Sequence, residues 1–383
     1  MVGSNTIILY VILIIYFLIN YYVYKRGLHS LEILPSYIKV IYRIVFIFLT
    51  LSYIAVRLFS RFLANEIYTF LMRIGAYWFA YIIYFFMIIL LIEVLRFIFR
   101  KLNFIPTVNS INYAKLKLYV FCCVIILSSL IIAYGSYNAE CIGVKTTSLT
   151  LPKKQGQIDS LNIVFFSDSH LSVINDGKIS GKIVEIVNSL HPDLILMGGD
   201  IVDDRTSNLY HLYVDKNLEK LNSKFGSFTC NGNHEFVNGV NESDEFLSKC
   251  GIKVLRDTFV TIANSVQIIG REDRSIGRYK NRKSISQLLN MTNKNLPTIL
   301  LDHQPFYLNE AAENNIDLQL SGHTHAGQFF PGNLITSLIY ELKWGYKKKG
   351  DTQYYVSSGV GTWGPPVKIF SDAEIINFKI KFK

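Results

Sequence analysis

Three stretches without a charged side chain constrain this sequence more than anything else in it: residues 1–24, 74–92 and 118–139. At about 1.5 Å of rise per helical residue, each can cross a hydrocarbon layer about 30 Å thick, so each reads as a membrane-spanning helix. A fourth stretch, 38–56, carries Lys39 and Arg43, which leave only 44–56 free of charge; it spans if Arg43 snorkels to the interface. The first stretch lacks a basic leader region and a small-residue cleavage site before Lys25, and reads as a retained helix rather than a cleaved signal peptide. A bundle of about four transmembrane helices, near 5–24, 38–57, 74–95 and 117–138, is therefore expected within residues 1–139.

The chain has 383 residues, of which 50% are hydrophobic and 18% charged, which excludes a disordered protein. Its formal net charge of +10 is unevenly placed: residues 1–137 carry twelve Lys/Arg and three Asp/Glu, and residues 138–383 carry twenty-seven and twenty-six. The excess therefore sits on membrane loops, where it sets topology. With four spans, nine basic residues (Lys25, Arg26, Lys39, Arg43, Arg96, Arg100, Lys101, Lys115, Lys117) face three (Arg57, Arg61, Arg73), placing everything after Ala139 outside the cytoplasm. If the second segment does not span, that orientation reverses. A nuclease or DNA-binding protein would carry its charge on the soluble part, so no nucleic-acid partner is expected.

Residues 140–157 read as a linker, polar from 146 to 157 (TTSLTLPKKQGQ), and 158–383 as a soluble domain. Short β-branched or aromatic runs at 161–166, 194–197, 225–230, 265–269, 298–301, 317–320 and 354–356 alternate with helical patterns such as 179–190 and 214–221, the signature of an α/β domain. Several runs end in groups that bind metal: Asp168 and His170 in FFSDSH, Asp200 in LMGGD, Asn233 and His234 in TCNGNHE, His303 in LLDHQP, His323 and His325 in LSGHTH. Ligands bind at the carboxyl ends of strands in such sheets, so these loops are expected to converge. Burying five imidazoles and two carboxylates without a cation would be costly, and the nitrogen and oxygen donors favour Zn, Mn or Fe. His29, His191 and His211 fall outside this pattern and read as structural.

The blocks SDSH, GGD, GNHE, LDHQP and GHTH, in that order, resemble the calcineurin-like metallophosphoesterase superfamily. The resemblance implies a β-sandwich of two mixed sheets flanked by helices, with two divalent metal ions of unsettled identity (Mn, Zn or Fe). One ion would be held by Asp168, His170, Asp200 and His325, the other by Asp200, Asn233, His303 and His323, with Asp200 bridging. It implies a shared hydroxide as nucleophile and His234 as the group that protonates the leaving oxygen or stabilises phosphoryl charge, with Glu235 as its candidate orienting partner. Ser169 stands where the family often has Leu, and Glu235 is longer than the Asp often found there. Gly198, Gly199, Gly232 and Gly322 would let backbone approach the ligands closely.

The tail GTWGPP, at 361–366, and HAGQFFPG after the last histidine are similar to a membrane-anchored bacterial branch that includes relatives of UDP-2,3-diacylglucosamine pyrophosphohydrolase of lipid A synthesis. That looser resemblance implies a bacterial inner-membrane phosphoesterase acting on an amphiphilic phosphodiester or pyrophosphate, with membrane lipid as a partner; whether the tether does more than localise the enzyme stays open. The alternative, a catalytically weak sensor or scaffold, predicts a missing ligand or acid, and none is missing. Cys122 and Cys123 fall in the fourth helix, while Cys230 reads as a buried thiol rather than half of a disulfide with Cys250. Two basic clusters, Arg271, Arg274, Arg278, Lys280, Arg282, Lys283 and then 347–349, are either solvated loops or steer an anionic substrate.

The charge distribution makes a direct prediction. A cysteine placed within 146–157 should react with an impermeant maleimide added outside intact cells; labelling only after lysis would reverse the orientation.

Overall fold

The computed structural model describes residues 4–59, 62–102, 110–152, 154–278 and 282–383; Arg61 and Lys280 fall outside them, as does the Arg278 side chain. Two compact units result, one ending at Tyr134 and one beginning at Gly135.

The first unit holds α1 (Ser4–Ser30), α2 (Ser36–Phe59), α3 (Asn65–Lys101) and most of α4 (Ile111–Glu140). These 4 helices are long and apolar enough to cross a membrane. They run past the charge-free stretches because Lys, Arg and Glu end an apolar run without ending a helix. Lys39 and Arg43 are the fourth and eighth residues of α2, near its first end, where snorkelling is shortest. Asn20 ties three of the helices together: its Oδ1 accepts from Thr50 Oγ1 on α2 and Trp78 Nε1 on α3, each at 3.0 Å. Such bonds hold helices together where the surroundings are as apolar as the helices. At Gly75 a Cβ would stand 2.7 Å from the Tyr53 backbone, so only glycine permits this approach of α3 to α2.

The second unit contains β1 (Gly143–Leu151), β2 (Ser160–Phe166), β3 (Leu194–Met197), β4 (Ser227–Thr229), β5 (Ile252–Val254), β6 (Thr258–Ile262), β7 (Val266–Gly270), β8 (Thr298–Leu301), β9 (Leu318–Ser321), β10 (Gly345–Lys349), β11 (Thr352–Val356) and β12 (Glu374–Phe382). They form two 6-stranded mixed sheets, β1-β12-β2-β3-β4-β5 and β10-β11-β9-β8-β7-β6. Ile163, Phe165, Leu196 and Phe378 of the first sheet meet Ile268, Leu301, Leu320 and Tyr355 of the second in one buried core. The outer face of the first sheet, Val164 and Ile195 among it, is covered by the helix Gly177–Ser189 through Ile183 and Val187. The outer face of the second sheet is covered by the helices Ile285–Leu289 and Leu308–Glu313. The architecture is the expected sandwich of two mixed sheets flanked by helices.

The linker reading needs correction. Residues 143–151 form β1, paired in parallel with β12 from Gly143↔Glu374 to Leu151↔Phe382. Polar threonines suggested a tether, but Leu149 and Leu151 alternate with them and enter the core, the period of a strand with one buried face. A fragment starting at residue 158 would leave one side of β12 unpaired. It should melt lower and aggregate more than a fragment starting at residue 141; equal melting and equal monodispersity would refute the structural role of β1.

Candidate metal centre

Five loops leave the carboxyl ends of β2, β3, β4, β8 and β9 and carry the residues singled out above. β2, β3 and β4 are parallel neighbours, as are β8 and β9 in the other sheet, so the loops emerge at one end of the sandwich. The backbone turns sharply there. Asp168, His170, Asp200, His323 and His325 all have positive φ, between 42° and 71°. That conformation is costly for side chains other than glycine, and such residues persist where surrounding structure enforces them, often at functional sites. Gly232 and Gly322 serve close packing: a Cβ on either would lie 2.2 Å from a carboxylate oxygen, of Asp200 and Asp168 respectively.

Three donor groups result among the described residues, one of them formed by His170, Asp203 and His234, and the other two made wholly of expected ligands. Asp168, His170 and His325 bring ligand atoms within 4.8 Å of one another, as do Asp200, His303 and His323. His170 Nε2 is 3.8 Å from Asp200 Oδ2, so Asp200 borders both groups. Asn233, first residue of the helix Asn233–Asn238, has a buried carbonyl Oδ1 with no hydrogen-bond partner. His303 is oriented from behind, its Nδ1 lying 2.7 Å from the Gly198 carbonyl. Its Nε2 faces Asp200 Oδ2 at 3.1 Å outside hydrogen-bond geometry, and against the effect of burial the Asp200 carboxylate raises the ring well above the usual histidine range. His325 Nδ1 is likewise buried and unpartnered. Ring nitrogens, an amide oxygen and carboxylates buried together, with orienting bonds behind, match what a divalent cation requires. The donor set thus fits metal ions.

The electrostatics sort the rings. Burial, with His303 adding to it, pushes His323 down to about 4, and burial with His170 and Lys368 nearby holds His325 well below the usual range, so both are neutral donors. Burial opposes protonation of His234 too, but Asp200 and Asp203 outweigh it and raise that group to about 9.

Asp203 was not singled out from sequence. Its Oδ1 stands 2.6 Å from His234 Nδ1 and its Oδ2 3.2 Å from His170 Nδ1, so one carboxylate orients two rings. Burial would raise its pKa, yet these two imidazoles hold it well below the ordinary value. Its position three residues after Asp200, in GGDIVDD, was the available signal. Glu235, expected beside His234, faces the opposite way. Its Oε1 accepts from the N–H groups of Ile201 and Val202 at 2.7 and 3.0 Å, and its Oε2 from those of Gly232 and Asp200 at 2.8 and 3.1 Å. Glu sits at the third helical position, where its arm reaches back to the chain before the helix, so its extra length serves the turn. Burial and the Asp200 charge still raise it to about 7.

The tail that followed the last block braces the first. Val360 N–H donates to Ser167 O and Gly361 N–H to Asp168 O, at 2.9 and 3.0 Å. Fully buried Lys368 donates to the carbonyls of Ser358 and Gly359 at 2.7 and 2.6 Å, and burial brings it down to about 8. Trp363 lies at the mouth, its ring centroid 6.3 Å from that of His234. On the other side the Tyr340 ring stands 6.1 Å from His323, and exposed Arg274 lies over Phe306 and Tyr307. Of the first basic cluster, Arg271 pairs with Glu310 and Asp302 and Arg282 with Asp302, so these two are structural. Lys347 and Lys349 pair with Glu341. Cys230 and Cys250 are buried free thiols.

A family model described as calcineurin-like phosphoesterase matches residues 161–327. An uncharacterized metallophosphoesterase of Aquifex aeolicus is 37% identical over 58% of this chain and 86% of its own length. The chain belongs to the calcineurin-like phosphoesterase family. It is also 33% identical to an uncharacterized metallophosphoesterase of Helicobacter pylori over 62% of this chain and 63% of that one. A transmembrane protein with metallophosphoesterase domain from Danio rerio is 29% identical over 67% of this chain and 62% of its own. The match thus spans a little under two thirds of these last two relatives.

In this calcineurin-like phosphoesterase the two residues of the His234–Glu235 pair should separate experimentally. Glu235→Ala strands four buried N–H groups at about 1–3 kcal/mol each and should lower the melting temperature by about ten degrees or more. His234→Ala should leave melting nearly unchanged; a reversed pattern would contradict the geometry.

Proposed function

We propose that this membrane protein is a divalent-metal-dependent hydrolase of phosphate esters, acting on phosphodiester or pyrophosphate bonds at a site with two ions. The observation that carries this reading is the pair of donor groups meeting at Asp200, with buried donor atoms on Asn233, His303 and His325 left unpartnered. Asp168, His170, Asp200 and His325 would hold one ion, and Asp200, Asn233, His303 and His323 the other. Two bound ions supply Lewis acidity toward the phosphoryl oxygens and lower the pKa of an attacking water. Asn233, a neutral donor, limits the negative charge of the set.

The chain's own groups do the rest. His234 is anchored through Nδ1 by Asp203, which leaves Nε2 to give a proton to the leaving oxygen. Asp203 also fixes the His170 ring, so proton donor and ligand share one orienting carboxylate. Exposed Arg274 offers positive charge to an anionic substrate. The four apolar helices and the nine-to-three distribution of basic residues support a site held at the outer face of a bacterial inner membrane.

Purified full-length protein supplied with Mn²⁺ should hydrolyse bis-p-nitrophenyl phosphate, lose the activity to EDTA and regain it with metal. Asp200→Asn should abolish turnover and metal retention, and His234→Asn should cost about a hundredfold in kcat while metal content stays at wild-type level. Full activity after chelation, or in Asp200→Asn, would overturn the reading.

A further inference from the structure

α4 continues into the second unit, whose first residues, from Gly135 to Glu140, are its last turns. There the helix is bonded to the loop after the tail motif. Asn138 Nδ2 donates to the carbonyls of Lys368 and Ser371 at 3.1 and 2.9 Å, and Lys368 N–H donates to Gly135 O at 2.9 Å. Ser371 Oγ donates in turn to the carbonyl of His325, at 2.7 Å. The end of a helix apolar enough to cross a membrane and a candidate metal ligand are thus two hydrogen bonds apart, through Ser371 alone. Between those bonds lies Phe370, 76% exposed.

The neighbouring surface is apolar in the same way. The helix Gly332–Ile339 buries none of its residues, and Leu334, Ile335, Leu338 and Ile339 are all more than half exposed, Leu338 at 89%. A short helix beside a water-soluble domain ordinarily turns such a face inward. The surface is continuous. Phe330, just before this helix, packs its ring against Phe370 at 6.4 Å, and Ile369 N–H donates to Gln328 O. The Gln328 side chain accepts from Trp363 N–H and donates to Trp363 O. Trp363, 52% exposed, brings the apolar surface to the rim beside His234.

We propose that this face, formed by Trp363, Phe370 and the helix Gly332–Ile339, seats in the interfacial layer of the bilayer that α4 enters, and opens the site toward phosphorylated lipid headgroups. The hydrogen bonds to α4 argue for lipid as the occupant: Gly135 and Asn138, in the final turns of a helix apolar enough to cross a membrane, hold the loop bearing Phe370, and Tyr137 is exposed there as well. Large aromatics beside aliphatic side chains suit the headgroup layer, which accepts both without requiring a complementary protein surface. Residues 138–383 carry a net charge of only +1, so the contact is apolar rather than electrostatic and should resist salt. The inference rests on the phosphoesterase reading for what it delivers to the site, while the docking itself is measured without turnover.

The test uses the full chain with Cys122, Cys123 and Cys141 replaced by serine, leaving buried Cys230 and Cys250. Leu338→Cys is labelled with the fluorophore NBD and reconstituted into phosphatidylcholine–phosphatidylglycerol vesicles, with and without headgroup-region nitroxide lipid. A blue-shifted emission that loses roughly half its intensity to the nitroxide lipid, unchanged by salt, is expected, against an aqueous emission from a label at Met291→Cys. Aqueous emission at position 338 overturns the proposal. So does a blue shift that nitroxide lipid does not quench, which would mean a protein partner or a second copy covers the face. In the second arm, Leu338→Asp should lower turnover of a vesicle-embedded lipid phosphodiester about tenfold and leave bis-p-nitrophenyl phosphate turnover unchanged. Equal effects on both esters overturn the delivery role. A wild type inactive on either ester counts instead against the phosphoesterase reading and leaves the fluorescence result standing.

Discussion

Everything at the end of the sandwich is organised around a charge that the polypeptide does not itself supply. Asp168 and Asp200 are buried with His170 and His303, and beside them buried polar atoms of Asn233, His303 and His325 have no hydrogen-bond partner. Removing such groups from water without a cation is expensive, and the fold concentrates the cost in one place. The positive φ angles at Asp168, His170, Asp200, His323 and His325 belong to the same arrangement, since strand ends must turn abruptly to aim short side chains at a common point. Two sheets, each rigid and well covered, hold those turns against relaxation.

How much of this could be read from sequence followed from how local each feature is. The ligand blocks were legible because each is a strand plus a loop, contiguous in the chain, and β3 and β8 coincide with the runs expected for them. The missed features depend on distant partners. Nothing near 143–151 announces that β12, more than two hundred residues on, will pair with it. The role of Asp203 needs the positions of His170 and His234, on two other loops, before its carboxylate acquires a purpose. Glu235 was misread for the converse reason: adjacency in sequence suggested a dyad, whereas the helical turn at Asn233 sends neighbouring side chains in different directions, His234 toward the site and Glu235 toward the chain behind it.

The tail shows a second kind of dependence. GTWGPP and the residues after it contribute no ligand, yet their backbone runs against the Asp168 loop, their buried lysine ties Ser358 and Gly359 in place, and Ser371 holds the His325 turn. The metal loops are therefore braced by a segment that also grips the last turns of α4. The last turns of α4 and the metal loops thus share one bracing segment within the second unit.

The parallel pairing of β1 with β12 has a consequence for biogenesis. β1 directly follows a membrane helix and is among the first parts of its unit to be synthesised, but its neighbour in the sheet is the strand farthest along the chain, and β12 also separates it from β2. Until β12 has been made, β1 has no partner and the sheet lacks one of its interior strands. Contacts of such long sequence separation form late and slowly, and leave unpaired edges exposed meanwhile. For this protein that interval is spent at a membrane surface, where the nascent β1 strand is held by its helix while it waits for the other end of its own sheet.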